Sequence, residues 1–115
     1  MKTIDSPEWT KVELCGALGL EKLVAEYMLR DQRIPSGRTK IRVWQDMAGR
    51  FLAHVDTAPL DHRGMSTRTA GTGHSEFEAL QQAISYFMRD LDDAAKRSTG
   101  LLRETDFEDA DPHDF

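Results

Sequence analysis

The residues best suited to chemistry are two histidine–carboxylate pairs in the middle of the chain. His54 and Asp56 are two positions apart in an alternating segment, which puts both on one face of a strand, and His62 directly follows Asp61. Either pair has the groups needed for general acid–base catalysis. No nucleophile elbow, phosphate-loop motif or His-x-x-x-His metal spacing accompanies them. The sequence therefore predicts a protein that is not an enzyme and that holds no metal or cofactor.

Three other features have weaker chemical potential. Gly71 and Gly73 flank Thr72 just before a helix start, where backbone N–H groups can cradle an anion, although two glycines are a weak signal. His74 is expected to be exposed or to bond locally. The only cysteine, Cys15, is predicted to be a small core residue, and the lack of a second cysteine favours a reducing, cytoplasmic setting.

Charge is unevenly distributed along the chain, whose formal net charge is −5. Residues 30–74 hold eight Lys and Arg against four Asp, whereas residues 104–115 hold six acids and no Lys or Arg. Blocks of like charge are typical of disordered tails, and a charge asymmetry between segments indicates a charged partner. We therefore expect a single domain over residues 1–100 and a disordered acidic tail over residues 101–115.

Residues 7–30 have the pattern of a helix. Ser6 can cap it, Pro7 suits the first helical position, and apolar residues recur near helical spacing along the segment. Gly16 and Gly19 each cost about 1 kcal/mol relative to alanine inside a helix. One long helix and two shorter ones both remain open.

The segment around residues 40–56 has the alternation of a β-hairpin, with a turn at Ala48 and Gly49. One face is predicted to meet the core through Ile41, Val43, Phe51, Ala53 and Val55. The opposite face presents Arg42, Trp44, Leu52 and His54. Two interpretations of Trp44 remain open: a helix or the N-terminal segment covers it, or it belongs to a partner-binding surface.

A third strand is predicted near residues 65–71, and a capped helix follows from Ser75 to about residue 97. The helix has an apolar stripe formed by Phe77, Leu80, Ile84, Phe87, Met88 and Leu91. The predicted fold is thus α+β, in the order α-β-β-β-α, with an antiparallel three-stranded sheet and the helices packed on one face.

The stretch GTGHSEFEALQQAI, residues 71–84, resembles the end of a double-stranded RNA-binding domain. In that family a third strand leads into Gly-x-Gly-x-Ser and then Lys-Lys-x-Ala-Lys-x-x-Ala-Ala, and the matching positions here are Gly71, Gly73, Ser75, Ala79 and Ala83. In the family, these lysines contact the phosphates of the RNA. The matching positions of this chain hold Glu76, Phe77 and Leu80 instead. The resemblance therefore implies the fold without the contacts, and only weak binding of duplex RNA.

The leading functional hypothesis is a small non-enzymatic protein that binds nucleic-acid-handling machinery and inhibits or modulates it, with no membrane partner. The small size, the acidic charge and the acidic tail favour this class. Two roles of the tail remain open: its acids imitate phosphate spacing, or it only aids solubility. The chain resembles small acidic inhibitors from phages and mobile elements, including anti-CRISPR proteins. The candidate partner-binding residues are Arg42, Trp44, Leu52, His54 and Arg68, together with Asp106, Glu108, Asp109 and Asp111 of the tail.

Two alternative functions remain open. The first is a nucleic-acid-binding module that uses Arg38, Lys40, Arg42 and Arg68. The second is an antitoxin-like regulator, dimeric through the face that carries Trp44, because a hairpin followed by a Glu-Ala-Leu helix is similar to small antitoxin and phage-type domains.

Overall fold

One α-helix lies on an antiparallel sheet in the computed structural model, which describes residues 8–65, 67, 70–98 and 102–109. In chain order the elements are β1 (Glu21–Arg30), β2 (Arg38–Asp46), β3 (Phe51–Val55), β4 (Thr57–Pro59), β5 (Ala70–Gly73), α1 (Glu76–Arg97) and β6 (Phe107–Asp109), with 3₁₀ turns at Glu8–Lys11 and Glu104–Asp106. The main sheet has the order β1-β2-β3-β5, and β4 pairs with β6 in a separate two-stranded sheet. The α+β class, with an antiparallel sheet and a helix packed on it, is confirmed.

Strands β2 and β3 form the predicted hairpin. The Asp46 side chain closes the turn by accepting the backbone N–H groups of Ala48 and Arg50, both at 2.9 Å. Gly49 supplies the left-handed residue of the turn, with φ 89°. The apolar face of the hairpin is buried through Ile41, Val43, Ala53 and Val55. The alternation of the sequence therefore predicts both the register and the buried face of this hairpin.

Helix α1 begins at the predicted cap and packs closely on β5 and β3. Ser75 Oγ accepts the backbone N–H of Glu78 at 3.1 Å, which satisfies one of the free donors of the first turn. The buried residues of the helix are Ala79, Ala83, Phe87, Leu91 and Ala94. A Cβ atom at Gly71 would collide with the backbone of Ala79 and Ala83. Small residues on both elements therefore set the distance between helix and sheet.

The prediction that Phe77 belongs to the buried stripe of α1 is wrong. Its side chain is 72% exposed, whereas Phe87 is buried and Ile84 is half-buried. Ten residues separate Phe77 from Phe87, which places the two about 80° apart around the helix axis. Because of this angle, Phe77 lies on the flank of the helix, in its first turn, rather than over the sheet.

The predicted N-terminal helix over residues 7–30 is also wrong, because residues 21–30 form β1 and pair with β2 along the whole strand. Before the strand, Cys15 and Gly16 have positive φ angles of 52° and 96°, a conformation that interrupts any helix. Cys15 is exposed and not a core residue. Pairing with β2 overrides the helical spacing of the apolar residues, since strand formation depends on neighbouring strands more than on local sequence.

Strand β4 follows the hairpin in a segment for which the sequence predicts no strand, and its three residues are all buried. The predicted third strand is displaced towards the helix: β5 begins at Ala70 and ends at Gly73. Arg68, a predicted partner-binding residue, lies outside the described residues. The displacement brings Gly71 and Gly73 into the strand itself, directly under α1.

The expectation that residues 101–115 are disordered does not hold for residues 102–109. Leu102 is buried, and Phe107 packs against the core while β6 pairs with β4. Two apolar anchors therefore hold a segment whose acidic composition suggested disorder. Asp111 and the rest of residues 110–115 lie outside the described residues.

Candidate functional site

The face of the main sheet opposite α1 is the candidate site. Side chains alternate along each strand, and α1, the only α-helix among the described residues, packs on the face that carries Ala53 and Gly71. The opposite face, which we name the open face, consists of Leu23, Glu26 and Met28 of β1, Lys40, Arg42 and Trp44 of β2, Leu52 and His54 of β3, and Thr72 of β5.

An apolar row crosses the open face at Trp44. Within the sheet register, Leu23 lies opposite Trp44, Trp44 opposite Leu52, and Leu52 opposite Thr72. Leu23 is 43% exposed, and both Trp44 and Leu52 are half-buried. The interpretation that an α-helix covers Trp44 is wrong within the described residues, because α1 lies on the other side. The other cover considered is the N-terminal segment, of which residues 1–7 lie outside the described residues.

A charged row lies next to the apolar one. Glu26 accepts a hydrogen bond from Arg42 Nε at 2.9 Å, and its other carboxylate oxygen lies 3.6 Å from Lys40 Nζ. His54 stands directly opposite Arg42 on the next strand. The hydrogen bond from Arg42 holds the pKa of Glu26 below its ordinary value, so this carboxylate stays ionised. The two cations are thus held by an acid of the same surface.

The four sheet residues predicted as partner-binding form one compact block. Arg42 lies opposite His54, and Trp44 lies opposite Leu52, all on the open face. The sequence missed the contribution of β1, which adds Leu23, Glu26 and Met28, because it predicted a helix there. Strand β1 extends the block without a clear alternating signal, since a bulge between Leu23 and Ala25 breaks the period of two.

Most of the basic residues in the middle of the chain are neutralised within the molecule. Of the eight Lys and Arg in residues 30–74, five lie within 4.0 Å of an acid: Arg33, Lys40, Arg42, Arg50 and Arg63. Arg33 is paired twice, with Asp31 at 3.0 Å and with Asp92 of α1. The basic segment therefore does not form a continuous positive surface on the described residues.

Two of the predicted acids of the tail, Asp106 and Asp109, accept hydrogen bonds from other parts of the structure. Asp106 accepts the backbone N–H of Arg103 at 2.8 Å, and Asp109 accepts the Thr57 hydroxyl at 3.4 Å. Glu108 is exposed. Arg38, Lys40 and Asp109 line one shallow cleft, which brings Asp109 beside the basic end of the open face. The tail and the row at Trp44 lie at opposite ends of the hairpin.

The carboxylate of the His62 pair has a structural role in its own loop. Asp61 closes this loop: it accepts the backbone N–H groups of Arg63 at 2.8 Å and Met65 at 3.0 Å. The bond from Met65, assisted by the Arg63 side chain, lowers the pKa of Asp61 to about 2. A carboxylate with so low a pKa is a poor general base near neutral pH. Across the described part of the chain, no three His, Cys, Asp or Glu side chains converge as metal ligands.

The glycine turn before α1 is a packing device. The backbone N–H of Thr72 already donates to Gln82 Oε1 at 2.8 Å, and that of His74 donates to Glu78 Oε2 at 2.8 Å. These donors are therefore not free to cradle an anion. The expectation that His74 is exposed or bonds locally is confirmed, since its side chain is exposed and its backbone bonds four residues ahead.

Comparisons of the chain with protein families, with curated proteins and with solved structures find no match. Within the described residues, no helix has the length and apolar character that crossing a membrane requires. The function must therefore be argued from the open face itself.

Proposed function

We propose that the protein is a non-enzymatic binding protein whose open face docks on another protein, a component of nucleic-acid-handling machinery, and modulates it. The observation that carries the proposal is the apolar row of Leu23, Trp44 and Leu52, which runs across three strands with no α-helix over it among the described residues. A tryptophan flanked by aliphatic side chains and rimmed by charges has the composition of an interface hot spot.

The ion pairs of the open face support a protein partner over a nucleic acid. Binding to phosphates requires cations that can replace counterions. On the open face, however, Arg42 and Lys40 already share the carboxylate of Glu26. The formal net charge of −5 adds a general repulsion from a polyanion. We therefore expect duplex RNA to bind only weakly at physiological salt, as a gel-shift titration would show.

The class of the partner follows from charge. Surfaces that handle nucleic acids are basic, and an acidic protein is attracted to them over long range. The acids Glu104 and Glu108 of the tail are exposed and add to that attraction. A reducing, cytoplasmic setting is part of the proposal, because Cys15 is exposed and free and would be vulnerable to oxidation elsewhere.

The test is affinity capture from cells of the source organism, with nuclease treatment before elution, using three forms of the protein. These are the natural chain, Trp44→Ala, and Phe77→Ala as the matched control. Phe77 is an exposed aromatic residue away from the open face, so its loss should not affect docking. We expect the natural chain and Phe77→Ala to retain the same protein, and Trp44→Ala to lose it.

Thermal melting of the three forms shows whether Trp44→Ala is folded. Only a folded variant can distinguish loss of docking from loss of the fold. Retention of the same protein by folded Trp44→Ala would contradict the proposal. Recovery of nucleic acid alone, when nuclease is omitted, would favour the nucleic-acid-binding alternative instead.

A further inference from the structure

Strand β1 is the long, exposed edge of the main sheet. It pairs with β2 on one side, and no strand pairs with its other side among the described residues. An edge of ten residues presents a row of unpaired backbone N–H and C=O groups, which proteins normally cover. The opposite edge, β5, is only four residues long.

The apolar side chains of β1 are unusually exposed for a strand. Leu23, Tyr27 and Met28 are 43%, 36% and 48% exposed. The register with β2 puts Leu23 and Met28 on the open face and Tyr27 on the face that carries α1. Both faces of the strand therefore present apolar surface at the same edge.

The two ends of β1 each lie opposite a like charge on β2. Glu21 faces Asp46 at one end, and Arg30 faces Arg38 at the other. Glu21, Arg30 and Arg38 form no ion pair within the described part of the chain. Like charges directly opposite each other destabilise a strand pair. Asp46 is compensated by Arg50, but Glu21 at the acidic end and both arginines at the basic end have no opposite charge within the described part of one chain.

We propose that β1 is a self-association surface, where the β1 strand of a second copy adds antiparallel to the first and joins two sheets into one of eight strands. A two-fold axis perpendicular to the sheet places Glu21 of each copy beside Arg30 of the other. Each copy then supplies the charge that the other lacks, which is the self-complementarity that a two-fold interface requires. The pairing uses the backbone edge of the sheet, whereas docking on the open face uses the row centred on Trp44; the two share Leu23 and Met28 at the margin of that face.

The bulge in β1 fixes the register of this pairing. With the axis at Glu26, Arg30 pairs with Glu21 and Met28 with Leu23 of the second copy, while Tyr27 faces the bulged residues Val24 and Ala25. In this register Leu23 and Met28 meet on the open face, and Tyr27 covers Ala25 on the helix face. All three exposed apolar residues of β1 gain a partner.

The centre of the interface does not suffer from the meeting of two acids. Glu26 lies on the axis, but in each copy it is already bound to Arg42 at 2.9 Å and lies near Lys40 at 3.6 Å. Each central carboxylate is therefore neutralised before the two copies meet.

The test is the dimer dissociation constant of the full chain, measured by analytical ultracentrifugation over a concentration series. We expect a dimer, and we expect Glu21→Arg and Arg30→Glu each to weaken it by about tenfold or more, because each places two repulsive pairs across the edge. The double exchange E21R/R30E reverses both charges of every pair and should restore the dimer.

Loss of fold cannot imitate this pattern. Each single change replaces a like-charge pair within the chain by an opposite pair, so neither weakens the monomer: Glu21→Arg puts a cation opposite Asp46, and Arg30→Glu puts an acid opposite Arg38. Asp93→Arg is the matched control for the change in charge, since Asp93 is exposed on α1 and is not part of the β1 edge.

Three outcomes would overturn the proposal. The first is a natural chain that is monomeric at every concentration. The second is a pair of single variants that dimerise as tightly as the natural chain. The third is a double exchange that fails to restore the dimer.

Discussion

The two flanks of the main sheet are built differently. Under α1, β3 and β5 pack so tightly that Gly71 has no room for a side chain, and Ala53 and Val55 of this closed flank are buried. At the other flank β1 has no fully buried residue, and Leu23 and Met28 on one face and Tyr27 on the other are exposed. The comparison indicates that stability is concentrated in the closed flank, whereas the open face and the edge of β1 are available for recognition.

The largest expected effect is a difference in stability between alanine variants of two phenylalanines in α1. Phe87→Ala should lower the free energy of unfolding by about 3–5 kcal/mol, because it leaves a cavity at the centre of the closed flank. Phe77→Ala should change it by less than about 0.5 kcal/mol, since that side chain is exposed. Denaturant unfolding measures both. Equal losses for the two variants would show that α1 is rotated about its axis relative to the sheet.

The tail segment provides the next effect. Leu102→Ala should cost about 2–3 kcal/mol, because this buried side chain anchors the segment that leads to β6. Thr105→Ala, at an exposed position of the same segment, is the control and should be nearly neutral. If both variants melt like the natural protein, residues 102–109 do not contribute to the folded core.

The closeness of helix and sheet can be tested at a single glycine. Gly71→Ala should destabilise by about 1–3 kcal/mol, because the added Cβ must displace the backbone of Ala79 and Ala83. Gly19→Ala is the matched control, since nothing lies within 4 Å of a Cβ there. Chemical denaturation gives the free energy of unfolding of both variants. An unchanged value for Gly71→Ala would mean that α1 can move away from β5.

The smallest effect concerns the loop closed by Asp61. Its folded pKa of about 2 is below the ordinary value of 3.8, so the stabilisation from the ionised form is complete above pH 3.8 and is lost as pH falls towards 2. A carboxyl titration followed by NMR should give a midpoint near 2 for Asp61. A midpoint near 3.8 would show that the backbone bonds from Arg63 and Met65 do not persist in solution.

Sequence predicts those parts of this fold whose signal is local. The N-cap at Ser75 and the alternation around Ala48 and Gly49 each lie within one element, and both α1 and the β2–β3 hairpin form as predicted. Strand β1 was missed because its pairing with β2, and not its own period, decides its structure. The order in residues 102–109 was missed because two apolar anchors, Leu102 and Phe107, act against an acidic composition.

The difference between local patterns and contacts of distant segments also explains which parts of the candidate site the sequence predicts. The hairpin alternation predicts that Arg42, Trp44, Leu52 and His54 share a face, and the register places them together. It cannot predict which face α1 covers, nor that Glu26 of β1 holds the cations of that face. Those facts depend on contacts between distant segments, which no local pattern encodes.

The central claim, that the open face docks on a protein, is tested most directly by the dissociation constant of the captured partner for Trp44→Ala, Phe77→Ala and a chain that lacks residues 110–115. We predict that folded Trp44→Ala binds at least about 30-fold more weakly, which corresponds to about 2 kcal/mol for a hot-spot residue. Phe77→Ala should bind normally, and the shortened chain should lose about tenfold or less, about 1.4 kcal/mol, because its two remote acids act by long-range attraction. Normal binding by folded Trp44→Ala, with binding lost in the shortened chain, would contradict the account and make the acidic tail the functional element.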